Sequence, residues 1–181
     1  METFKKTLDE LIPKLNNEID TLHGEAIDDI FLSGDANMYE VLNKIDGIEA
    51  KFKELEERSS KYNTWQEVLQ TSPTMFENLD QLREDFNLRA LMWRSLKQWE
   101  ELTEGWAKQK FDSIDAKSIQ VQADKFAKIC SRVEKNLPEN PIGTKLKDLV
   151  DTFKGAMPIV VALRNDNLKE HHWGEIKSLI N

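Results

Sequence analysis

An all-α fold, an elongated multi-helix bundle with long antiparallel helices, is predicted for this 181-residue sequence on three observations. Apolar residues return in steps of three and four along almost the whole chain, the period of one helix face. Seven glycines and five prolines are few, and no stretch alternates apolar and polar residues with the β-branched enrichment of a half-buried strand. A composition of 39% hydrophobic and 32% charged residues supplies each helix with an inward stripe and a wet outer face.

The first helix aligns Phe4, Leu8, Leu11, Leu15, Ile19 and Leu22. Pro13 interrupts that face; lacking an amide hydrogen and crowding the preceding turn, it predicts a kink or a helix that begins near it. His23-Gly24 reads as a stop. Glu25–Leu32 reads as a short helix ended by Ser33-Gly34, and Asp35 offers a carboxylate to cap the next one.

The second long helix carries Met38, Val41, Ile45, Ile48, Phe52 and Leu55, then resumes past polar Ser59 at Tyr62 and Leu69. This strict seven-residue repeat predicts a coiled-coil-like helix, ended by Ser72-Pro73. Gly47 weakens it by about 1 kcal/mol relative to alanine, which packing over several heptads overrides.

A third helix is expected from near Thr74 to about Lys110, with Leu79, Leu82, Phe86, Met92, Leu96, Trp99, Leu102 and Trp106 on one face. Leu88, Leu91 and Trp93 widen the stripe, so Leu88–Trp99 should be the most densely packed stretch. After Phe111-Asp112-Ser113 a fourth helix carries Ile119, Phe126, Ile129, Val133 and Leu137 and is ended by Pro138-Glu139-Asn140-Pro141. A fifth turns Leu146, Leu149, Phe153, Met157, Val160 and Leu163 inward, bent by Pro158. Asn165-Asp166-Asn167 breaks the chain, and a final helix from Leu168 aligns His172, Ile176 and Leu179.

A net charge of −8 without any basic block argues against nucleic acid, whose affinity comes from Lys and Arg that release counterions. It argues equally against an anionic membrane surface, and no apolar run approaches the roughly 20 residues needed to span a bilayer. Met1–Leu22 is charged throughout, unlike a secretory peptide. Cys130 is the sole cysteine, so no internal disulfide forms and a reducing, cytosolic compartment is the natural reading.

No catalytic, cofactor-binding or metal residue is expected. Gly143-Thr144-Lys145 lacks the glycine-spaced loop that wraps phosphates. His171 and His172 are adjacent and point to different sides of a helix, where zinc needs converging ligands. Cys130 lies among Phe126, Ile129 and Val133 and reads as a small buried hydrophobe, and Glu56-Glu57 and Glu100-Glu101 read as solvated charge. The five tryptophans, Trp65, Trp93, Trp99, Trp106 and Trp173, carry two readings. They anchor helix junctions, or one or two of them are surface anchors for a partner, Trp106 and Trp173 being placed best for that near helix ends.

The residue order from Tyr62 onward resembles the N-terminal linker region of dynein heavy chains. The likeness runs through Tyr62-Asn63-Thr64-Trp65-Gln66-Glu67-Val68-Leu69, then Phe76 and Leu79-Asp80-Gln81-Leu82-Arg83-Glu84-Asp85-Phe86-Asn87-Leu88-Arg89. It continues through Leu91-Met92-Trp93-Arg94-Ser95-Leu96-Lys97-Gln98-Trp99 to Trp106. Its strongest stretch is Met157-Pro158-Ile159-Val160-Val161-Ala162-Leu163-Arg164-Asn165, followed by Leu168-Lys169 and His172-Trp173. Asp166 and His171 depart from the family pattern, and Trp93-Arg94-Ser95-Leu96-Lys97-Gln98-Trp99 is closer to axonemal than to cytoplasmic heavy chains.

The resemblance implies a helical lever that lies across an AAA+ ring of the same heavy chain and bends as nucleotide turns over. Residues 1–35 would then be the end of the tail or the start of the linker, and 36–181 the N-terminal linker bundle. It implies a non-enzymatic segment, with ATP and magnesium belonging to the parent motor. The implied partners are the ring, the dynein tail and light or intermediate chains, in the cytoplasm and cytoskeleton, at the axoneme of a cilium or flagellum. Arg83, Arg89 and Arg164 would make ion pairs with the ring or, preferably, cap helices within the bundle, and His172-Trp173 would lock the last helix onto the bend at Pro158. The stop at Asn181, straight after an amphipathic helix, reads as the edge of a segment cut from a longer chain.

The rival reading is a spectrin-like helical scaffold or adaptor for cytoskeletal partners, though no repeat length recurs convincingly and the tryptophans are too closely spaced for it. An α-helical enzyme ranks last, since no acid, base or metal constellation converges.

Overall fold

The computed structural model describes residues 2–109, 113 and 115–163. They form five α-helices, α1 (Glu2–Ala26), α2 (Met38–Val68), α3 (Glu77–Lys108), α4 (Ala116–Asn136) and α5 (Pro141–Leu163), with a 3-10 turn at Asp29–Leu32. No strand occurs among the described residues. The chain packs as two compact units. One is built from the residues up to Arg94 with Asn140–Ile142, the other from Ser95–Glu139 and the described residues from Gly143 onward, so α3 contributes to both.

In the first unit α1 buries Leu8, Leu15, Ile19, Leu22 and Ala26. The helix runs through Pro13 instead of beginning near it, and through His23-Gly24 instead of stopping there. Burial of Leu22 and Ala26 on either side of Gly24 outweighs glycine's helix penalty of about 1 kcal/mol. Past Ala26 only the 3-10 turn forms where a short α-helix is expected, capped by Asp28, whose Oδ1 accepts the Ile30 amide at 3.0 Å. Phe31 in that turn is fully buried.

Asn37, not Asp35, caps α2: its Oδ1 accepts the Tyr39 and Glu40 amides at 3.0 and 3.2 Å. The repeat holds, with Val41, Ile45, Ile48, Phe52, Leu55 and Tyr62 all buried. The end comes at Val68, ahead of Ser72-Pro73. Gln70 adopts φ 56°, and the amides of Gln70 and Thr71 donate back to the carbonyls of Glu67 and Gln66, both at 2.9 Å. This is the Schellman arrangement, which satisfies the last carbonyls and turns the chain out of the helix.

Nothing lies within 4 Å of where a Cβ on Gly47 would sit. Gly47→Ala is therefore expected to stabilise α2 by about 1 kcal/mol, read as a higher urea midpoint at unchanged slope.

The α3 stripe reaches its densest stretch where the sequence places it, with Ala90, Met92, Trp93, Ser95, Leu96 and Trp99 all buried. Ion pairs show that neighbouring helices run antiparallel, because the partner number falls as the α2 number rises. Lys51 meets Glu25 and Arg58 meets Glu18 across α1 and α2, and Arg94 meets Asp46 while Arg83 meets Glu56 across α3 and α2.

The second unit joins the last part of α3 to α4 and α5. Asp115 caps α4, its Oδ1 accepting the Lys117 and Ser118 amides at 3.1 and 3.2 Å. The buried face of α4 is Ile119, Ala123, Phe126, Cys130 and Val133, so Ile129 is not the core position. Pro141 starts α5 instead of merely closing α4, since its missing amide hydrogen would be unpaired in a first turn anyway. Leu146, Val150 and Met157 are buried on α5, whereas Leu149, expected inward, is 38% exposed. α5 continues through Pro158 to Leu163. Lys147–Glu134 and Lys154–Asp124, each at 2.7 Å, set α4 and α5 antiparallel. The final helix expected from Leu168 lies outside the described residues.

Candidate functional site

The heptad of α2 places Ile45 and Phe52 at one core position and Val41, Ile48, Leu55 and Tyr62 at the other. The residue before the first position is cationic in three successive heptads: Lys44, Lys51 and Arg58. All three pair toward α1 and its following turn, with Asp28, Glu25 and Glu18 respectively, at 2.5 Å each. The residue after the second position is anionic: Glu49 and Glu56. These face α3, where Arg94 holds Glu49 at 2.6 Å and Arg83 holds Glu56 at 3.3 Å. Thus α2 carries a basic seam toward one neighbour and an acidic seam toward the other. Such flanking charges set partner and orientation more than they set stability.

Three of these carboxylates sit below the ordinary carboxylate range: Glu18 through the Arg58 guanidinium, Glu49 through that of Arg94, and Asp28 through the Ile30 amide and then Lys44. A carboxylate depressed by folding adds stability that is fully present above its unfolded pKa and is lost as pH falls through the folded value. Stability is therefore expected to decline on the acid side of the carboxylate range. Combining Glu18→Gln, Asp28→Asn and Glu49→Gln should flatten that decline in urea titrations at stepped pH, and an unchanged slope would count against these pairs.

Trp93 and Trp99 are both buried in the dense stretch of α3, Trp93 near its middle and Trp99 at its end. In the first unit the Trp93 indole Nε1 donates to the Phe31 carbonyl at 2.8 Å, pinning the 3-10 turn to α3. In the second unit the Trp99 ring meets Phe126 at 5.2 Å, Phe153 at 5.3 Å and Trp106 at 6.0 Å, all near edge-on. Edge-to-face contacts of this kind add to burial because ring edges are positive and faces negative. Half-buried Trp106 also lies 5.1 Å from Phe153. Half-buried Trp65, near the end of α2, touches Phe4 and Tyr62, and Lys61 Nζ sits 4.8 Å over its ring.

Arg83 stacks over Phe52 at 5.1 Å besides meeting Glu49 and Glu56, with Nη1 buried and unbonded among the described residues. Arg89 turns onto its own helix, Nη1 donating to the Asp85 carbonyl at 2.9 Å; burial lowers its pKa, and its Nε is buried without a partner among the described residues. Arg164, His172 and Trp173 lie outside the described residues.

The residues that sequence reasoning passed over are Phe31, Arg58 and Arg94. Arg58 carries a signal, since it shares the seven-residue spacing of Lys44 and Lys51. Phe31 does not, because its partner is fixed only by tertiary packing.

No group of three or more His, Cys, Asp or Glu residues that could hold a metal occurs among the described residues, and none of their helices is long and apolar enough to cross a membrane. Burial, and then the Asp151 charge, pushes the Cys130 thiol up to about 11. A thiol with so little thiolate is inert. Cys130 in the folded chain is expected to react with a thiol reagent near pH ~8 far more slowly than in urea, and equal rates would return it to the list of nucleophiles.

With this geometry in hand, known proteins show similarity. The family model described as dynein heavy chain, N-terminal region 2, matches residues 79–181. The chain is 29% identical over 169 residues to the human (Homo sapiens) dynein axonemal heavy chain 6, covering 93% of this chain and 4% of that protein. It is 19% identical over 179 residues to the dynein-1-beta heavy chain, flagellar inner arm I1 complex, of Chlamydomonas reinhardtii, covering 99% and 4%. A third relative is the dynein axonemal heavy chain 1 of Rattus norvegicus, 21% identical over 150 residues, covering 81% and 3%. The chain thus spans about 4% of the length of the first curated relatives it matches.

Proposed function

The chain belongs to the dynein heavy chain family, whose N-terminal region 2 it matches over residues 79–181, and from that premise we propose that it is a non-catalytic mechanical segment of a dynein microtubule motor. In this reading it is part of the linker, coupling ATP-driven changes in an AAA+ ring of the same heavy chain to movement of the tail. The nucleotide and its magnesium belong to the ring. The names of the relatives, axonemal and flagellar heavy chains, support placement at the axoneme of a cilium or flagellum.

The observation that supports a mechanical role best is the double seam of α2. A segment that transmits force must resist sliding of its helices. A heptad core by itself can slip by one repeat, but such a slip against α1 leaves one of the three cations Lys44, Lys51 and Arg58 without a facing carboxylate.

The test is made in the whole heavy chain. Ile45→Ala with Ile48→Ala loosens the fully buried centre of α2. Microtubule gliding is expected to slow while ATP hydrolysis by the ring continues. Unchanged gliding, or ATP hydrolysed by residues 1–181 alone, would defeat the proposal.

A further inference from the structure

Between α2 and α3 the chain leaves helical geometry, and three hydroxyls lie close together there: Thr71, Ser72 and Thr74. Two are engaged. Thr71 Oγ1 donates to the Gln66 carbonyl at 3.1 Å. Thr74 Oγ1 accepts from Gln66 Nε2 at 2.9 Å, and the Thr74 amide donates to Gln66 Oε1 at 2.8 Å and Asn63 Oδ1 at 3.2 Å. Ser72 takes part in none of these bonds and is exposed, as is Pro73 after it.

The clamp at Thr74 and the turn at Gln70, φ 56°, hold the intervening residues out of both helices. Proline at the next position biases Ser72 to extended backbone and presents no amide hydrogen of its own. An extended serine followed by proline is the shape that a kinase cleft selecting for proline accepts. Val68 and Met75, 79% and 76% exposed, flank the segment and offer apolar contact to such a cleft.

From this we propose that Ser72 is a phosphorylation site for a proline-directed protein kinase, independently of the mechanical reading above. The kinase's carboxylate base takes the Ser72 hydroxyl proton as Oγ attacks the γ-phosphorus of magnesium-bound ATP. The new Oγ–P bond forms as the bond to ADP breaks, and ADP leaves. The product places a charge of about −1.5 to −2 just beyond the C-terminus of α2, where the helix dipole already disfavours negative charge.

The 181-residue chain is incubated with a proline-directed serine/threonine kinase and magnesium-ATP, and phosphate is mapped by mass spectrometry of its peptides. One phosphate on Ser72 is expected, lost in Ser72→Ala and reduced to background in Pro73→Ala. Two results would overturn the assignment: a folded chain left unmodified at Ser72 while a free peptide of residues 66–78 is phosphorylated, or labelling unaffected by Pro73→Ala.

Discussion

Truncating Trp93 to alanine is expected to destabilise the first unit by about 3–5 kcal/mol, the range for removing a large buried side chain. Two losses combine. The ring is 1% exposed in the dense stretch of α3, so its removal leaves a cavity that neighbouring side chains fill only in part. Its Nε1 is also the donor to the Phe31 carbonyl, which would be left buried and unpaired. Trp93→Phe separates the two contributions, because it keeps an aromatic ring and forfeits the hydrogen bond. That variant should cost about 1–3 kcal/mol, the penalty of an unsatisfied buried acceptor, together with a smaller packing loss. Urea unfolding followed by far-ultraviolet circular dichroism measures both without relying on indole fluorescence. A Trp93→Ala midpoint close to that of the parent chain would mean the indole is not what ties the 3-10 turn to α3.

Trp99→Ala should be as damaging in the second unit, again by about 3–5 kcal/mol, for a different reason. Its ring is the common neighbour of Phe126 on α4, Phe153 on α5 and Trp106 on α3 itself. Deleting the shared ring therefore weakens all three contacts at once. A double-mutant cycle with Phe126→Ala should return a coupling of about 0.5–1.5 kcal/mol, the usual worth of an aromatic pair beyond its buried area. Additive single effects would show that the rings merely share a region.

Much of this arrangement is legible in the order of residues, and the misses have a common cause. Long runs with one period, such as Val41 to Tyr62 on α2, allow only one face to turn inward. After Leu146, both Leu149 and Val150 satisfy a step of three or four, and both lead on to Phe153; the structure buries Val150. The same tie occurs after Phe126, where Ile129 and Cys130 both reach Val133, and Cys130 is the buried member. A periodic pattern cannot break such ties, because they depend on which neighbour the helix meets. Asp35 and Asn37 are both good caps by chemistry, and the one adjoining the first helical turn serves. The site residues were legible as types. Tryptophan and arginine in long helices announce anchoring, but the partners of Trp93 and Arg83 come from segments far away in sequence.

The two charge seams of α2 have a consequence for topology. An apolar heptad is indifferent to which neighbour packs on its left and which on its right, so the core alone would tolerate a mirror-image bundle in which α1 and α3 trade places. In that bundle Glu18 and Glu25 would confront Glu49 and Glu56, while Arg83 and Arg94 would confront Lys51 and Arg58. Every attraction would become a repulsion at once. Weak, solvent-exposed pairs that add little to the depth of the native well thereby choose its handedness.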